Sequence, residues 1–253
     1  MGGDAAAKPT IGSEAAGQAS GSANAGETLL VFIVAFVIVG VGWALVGDGA
    51  LARQAVVWVA NVAMLVTIWL CLRARGQGWE HLGLSLRFGG PAALLKAVLL
   101  SVVVVVPALV AFVAGGMLMY GVAATPESAD MSGYEYMQGN LPMLLLALAA
   151  VWVVSSFGEE VVYRGFLMTR LAEIGNRTKL AWGAALAVSA VVFGLAHFAW
   201  GVVGIVQTTF MGLALGAAYL LVKRNLWVLV LAHAYVDTLL LVQMYLGPGA
   251  SGS

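Results

Sequence analysis

The chain has 253 residues, of which 62% are apolar and only 9% charged, and its mean hydropathy is +0.97. That composition excludes an ordinary soluble globular domain and describes a membrane protein. Twelve Lys and Arg balance twelve Asp and Glu, so there is no general basic surface and no nucleic-acid partner is expected.

Residues 1–27, rich in Gly, Ala and Ser with scattered charges, lack the apolar content to form a core and are read as a disordered tail. Hydrophobic runs long enough to cross about 30 Å of hydrocarbon follow. They lie at Leu29 to Val46, Ala55 to Leu72, Ala92 to Tyr120, Leu141 to Leu171, Leu180 to Ala199, Val202 to Val222 and Leu226 to Leu246. None shows strand alternation, and only helices or closed barrels satisfy their backbone in lipid. The expected fold is therefore all-α, a polytopic bundle of seven transmembrane helices over 28–246, with a short tail at 247–253.

Pro107 falls inside the third run, where it is expected to kink the helix. The longest polar connection, Ala124 to Asn140, carries Glu127, Asp130 and Glu135 but no Lys or Arg. Threading the spans puts Lys8, Arg73, Arg75, Arg87, Lys96, Arg170, Arg177, Lys179, Lys223 and Arg224 on one side and Arg53 on the other. Positive charge in short loops stays inside, so the N-terminus is expected in the cytoplasm. The lone cysteine, Cys71, lies in an apolar run and forms no intramolecular disulfide.

The fourth span interrupts this pattern with "SSFGEEVVYRGF", residues 155–166. Each charge at the centre of a membrane helix costs about 2.5–3.5 kcal/mol. Glu160 and Arg164 are four apart and share a face, so they can neutralise one another. Glu159 is offset by about 100°, cannot share that guanidinium equally, and is left as an unpaired intramembrane acid, by default a functional group. The partners available within spans are few. His197 shares a face of the fifth helix with Phe193, and His233 one of the seventh with Asp237; His81, in a connection, is expected to be solvated.

An acid, a histidine, and a histidine with an aspartate, from three helices, would shield one another from lipid by converging on one polar pocket. A carboxylate with an imidazole can deprotonate a water, and a second imidazole with an Asp can stabilise an oxyanion, the equipment for hydrolysing an acyl bond. Glu159, His197 and His233 are also a possible zinc ligand set, and spacing alone leaves either no cofactor or a single Zn2+. Ser155 and Ser156 lack the GxSxG setting of a nucleophile.

"EEVVYR" (Glu159 to Arg164), "FGLAH" (Phe193 to His197) and "HAYVD" (His233 to Asp237) resemble, in order, the EExxxR, FxxxH and Hxxx(N/D) motifs of the CPBP family. That family of intramembrane proteases includes CAAX prenyl endopeptidases and bacteriocin-processing and immunity proteins. The resemblance covers about 141–246. It implies a membrane endopeptidase in which Glu159 and His197 activate water, His233 and Asp237 form the oxyanion site, and Glu160, Arg164 and Phe193 support them. It further implies a peptide or membrane-protein substrate, with or without a prenyl group, met at the bilayer of a bacterial plasma membrane. A non-catalytic immunity or scaffold protein of the same fold is the alternative; a transporter ranks last, since the halves carry no matching Gly/Pro-broken helices.

Overall fold

A computed structural model of the chain describes residues 11–85, 89–123 and 132–247, with only the backbone given for 11–20. Seven helices are long and apolar enough to cross a membrane, and there is no strand among the described residues. They are α1 (Ile11–Val46), α2 (Ala50–Ala74), α3 (Pro91–Ala123), α4 (Leu141–Ile174), α5 (Lys179–Ala196), α6 (Gly201–Leu221) and α7 (Leu226–Leu246). The chain is a multi-pass integral membrane protein.

The expectation of a disordered segment 1–27 is corrected over residues 11–27, which continue α1 without a break; residues 1–10 lie outside the described ones. The reason is visible at the end of that extension, where Asn24 and Glu27 both bind Arg75, at 2.6 Å each. Ala-rich sequence pays little entropy to be helical, and these bonds fix the turn. Pro107 sits within a continuous α3. Glu127 and Asp130 lie outside the described residues, as do Arg87, Lys8 and 248–253.

α1 packs on α2 and on the C-terminal part of α4, α3 on α6 and α7, and α5 on α6. At the arginine-rich end the helices are tied by charge. Arg170, fully buried, pairs with Glu27 at 3.0 Å and Glu173 at 2.9 Å, and donates to Gln77 at 3.0 Å. Glu173 also takes Arg177 and His81, each at 2.6 Å. His81 is thus no freely solvated side chain, since Glu173 holds it.

A 3₁₀ turn over Trp79–Leu82 seats the α2–α3 connection against the α6–α7 turn. Tyr219 Oη donates to the carbonyl of Leu82 at 2.8 Å, and Leu226 N–H to that of Gly83 at 3.0 Å. Gly83 has φ of +85°, and a Cβ there would run into the carbonyl oxygen of Arg224. Gly83→Ala combines a left-handed backbone with a backbone clash, so it is expected to cost about 1–3 kcal/mol, read as a lowered Tm in detergent.

α4 spans about 51 Å at 1.5 Å per residue. It is not uniformly α-helical: Val151–Ser156 and Glu160–Leu167 are π-helical, flanking Phe157–Glu159. Such wide turns inside helices are rare and recur at functional sites.

Candidate active site

The three motifs lie at similar depths in the bundle. α4 runs on to Ile174, so Glu159 lies about 22 Å from its arginine-rich end. Lys179 restarts the chain close to that level, placing His197 about 27 Å along α5. α7 begins deeper, with Leu226 packed beside Gly165, which brings His233 to about 24 Å. The turn after His197 lies at the far side of the bundle. Phe198 stacks on Trp43 near the opposite end of α1, with ring centroids 5.3 Å apart.

Glu160 is the centre of the polar cluster. Its Oε1 accepts from Arg164 Nη1 at 2.7 Å and from His233 Nδ1 at 2.8 Å, all three side chains being buried. The Arg164 guanidinium also lies 4.2 Å from the Phe193 ring centroid. With Nδ1 bound to Glu160, His233 turns Nε2 to Asp237 Oδ1 at 3.6 Å and Glu159 Oε2 at 3.9 Å. Ser156 donates to the other Asp237 oxygen at 2.7 Å.

His197 stands apart from this cluster, across Phe193. Its ring meets Phe193 edge-on at 4.8 Å, and His233 meets the same phenyl ring at 5.9 Å. His197 Nδ1 lies 2.8 Å from the carbonyl oxygen of Phe193. A carbonyl only accepts, so Nδ1 carries the hydrogen and Nε2 is the basic nitrogen of the neutral ring. Among the described residues no group of three His, Cys, Asp or Glu is placed to hold a metal ion. Glu159, His197 and His233, the possible zinc set, are not drawn together into such a group.

Glu159, His197, His233 and Asp237 line one cavity of about 670 Å³. Its walls are apolar and aromatic, from Phe32, Trp58, Phe112 and Leu240 among others, and no Lys or Arg among the described residues lines it. Sequence reading missed Asn61 of α2, which is buried, lines the cavity and lies against Gly158. A Cβ on Gly158 would sit 2.9 Å from Asn61 Oδ1, so the glycine is what admits this amide beside Glu159. The signal was present, as an Asn in mid-span is costly in lipid unless it faces the bundle. Tyr134 and Tyr136, from the 3₁₀ turn Ser132–Met137, and Trp200 were also missed. Burial pushes the Tyr134 phenol up to about 12, leaving it a neutral donor at the rim.

Residues 141–239, which hold all of these motifs, match the family model described as type II CAAX prenyl endopeptidase Rce1-like. Over that stretch the chain is similar to the Rce1-like family. The match agrees with the CPBP resemblance. No curated protein and no solved structure matches the chain. The Rce1-like stretch comprises α4 to α6 and most of α7, whereas the cavity also takes walls from α1, α2 and α3.

Proposed function

We propose that the protein is an intramembrane endopeptidase that hydrolyses a peptide bond with a water activated by Glu159 and His197. The observation carrying this reading is the gap beside His233 Nε2, with Asp237 at 3.6 Å and Glu159 at 3.9 Å. Separations just beyond hydrogen-bond length leave a place for one shared oxygen atom.

Glu159 accepts a proton from the water as its oxygen attacks the carbonyl carbon, with the His197 Nε2 lone pair as the second acceptor. The carbonyl oxygen becomes negative and takes a hydrogen bond from His233, protonated at Nε2, whose other nitrogen Glu160 anchors. Asp237, held by Ser156, orients that ring. The C–N bond then breaks as the proton held by Glu159 passes to the departing amine.

The test is hydrolysis of a peptide library by the purified protein in liposomes. His197→Gln is expected to slow cleavage by about 10²-fold or more while leaving the helical circular dichroism unchanged. Cleavage at the wild-type rate would remove His197 from the mechanism.

A further inference from the structure

α2 carries a polar stripe that has no part in the catalytic steps. Gln54, Trp58 and Asn61 stand four and three residues apart, so they share a face of the helix, and all three line the cavity. Elsewhere on the wall, polar groups are bonded within the protein: Thr208 donates to the carbonyls of Gly204 and Ile205, and the Trp43 indole to that of Arg53. The stripe on α2 is different. Asn61 is only 3% exposed, yet its Oδ1 has no hydrogen-bond partner among the described residues, and neither has the buried indole N–H of Trp58 one turn away. Unanswered buried polar atoms oppose folding, and a Leu at position 61 would carry no such penalty.

The place of Asn61 indicates what answers it. Its side chain lies against Gly158, where a Cβ would sit 2.9 Å from Oδ1, and the next residue is Glu159. The carboxamide is thereby fixed at the cavity wall beside the general base. An amide side chain has the acceptor and donors of a peptide group, so it can pair with the N–H and C=O of a main chain together. A peptide lying extended in a largely apolar cavity needs such partners, because its own groups leave water to enter. From Gln54 to Asn61 α2 rises about 10 Å, the length of about three extended residues.

We infer that Asn61 is a substrate-binding residue that clamps the main chain beside the scissile bond, Oδ1 accepting from a peptide N–H and Nδ2 donating to a peptide carbonyl. The Trp58 N–H continues the contact along α2. The ligand is an extended peptide held by its backbone and not by its side chains; that it is a peptide rests on the endopeptidase reading.

A backbone clamp reads no side chain, so an arbitrary apolar sequence serves as probe. The probe is a fluorescein-labelled decapeptide of Leu and Ala flanked by lysines, with a set of derivatives each N-methylated at one residue and so lacking one N–H. Affinity is read by fluorescence anisotropy on the full chain carrying Glu159→Gln in detergent, corrected for protein-free micelles. N-methylation at one position is expected to weaken binding about tenfold, the reach of one buried hydrogen bond. Asn61→Leu is expected to weaken the unmodified peptide by the same factor and to make that N-methylation silent, since both changes remove one bond. Its Tm is expected to stay level or rise, because no internal bond of the amide is lost.

Losses that simply add, at every methylated position, overturn the clamp. So do a lowered Tm or failed folding of Asn61→Leu, and an unmodified peptide that does not bind. Hydrolysis of the same peptide is followed with Glu159 intact: coupling without hydrolysis counts against the endopeptidase reading and leaves the clamp standing, while hydrolysis without coupling does the reverse.

Discussion

Arg164→Met is expected to yield little or no folded protein, measured as the monodisperse fraction in mild detergent. Arg164 and Glu160 are 1% and 0% exposed, and their 2.7 Å ion pair neutralises two charges that hydrocarbon would otherwise reject. Removing the cation leaves a buried carboxylate with only His233 to answer it. Breaking such a pair costs about 3–5 kcal/mol, a large share of the roughly 5–15 kcal/mol that holds a domain together. Loss of the contact between the guanidinium and the Phe193 ring adds to this. Changing both partners, Arg164→Met with Glu160→Gln, removes the net charge while an amide oxygen can still accept from His233. The double variant is therefore expected to recover folded protein, because the damage comes from an unanswered charge and not from missing volume. A normal yield of Arg164→Met alone would contradict this account.

For the neighbouring acid the expectation is the opposite. Glu159→Gln should fold at wild-type yield and lose hydrolysis by about 10²- to 10⁴-fold, the usual reach of a positioned general base. The amide is nearly isosteric, and Glu159 has no arginine partner within 4.0 Å among the described residues. Its surroundings are the cavity and, at 3.9 Å, His233 Nε2, so the substitution leaves no charge stranded. What it removes is the group that takes a proton from water. Single-turnover kinetics on reconstituted protein make the measurement. A Glu159→Gln protein that fails to fold, or that hydrolyses at the wild-type rate, would sink the division of labour between the two acids.

Much of this was legible in the sequence because lipid makes polar residues conspicuous. Seven apolar runs gave seven spans, and the pairing of Glu160 with Arg164 followed from a four-residue spacing. What the spacing could not show is that Glu160 also binds His233, a contact set by how α4 and α7 cross. The end of α4 was drawn at Leu171 for a similar reason: hydrophobicity stops there, whereas Arg170 and Glu173 extend the helix to Ile174 by pairing with charges from α1 and the α2–α3 connection. The segment 11–27 was misread because its stabilising partner, Arg75, is remote in sequence. Asn61 and Tyr134 belong to parts of the chain without a motif, and only tertiary packing brings them beside Glu159.

The paired wide turns of α4 make this site depend on chain length as much as on residue identity. Each carries extra backbone relative to a regular α-helical path, and together they bracket Phe157–Glu159. Inserting a residue within Phe157–Glu159, the regular turn between them that has no such slack, would rotate one flank against the other by about 100°. The carboxylate at 159 would then swing off its bearing although every side chain named above was still present. Descent should therefore have tolerated exchanges in this stretch more readily than insertions or deletions.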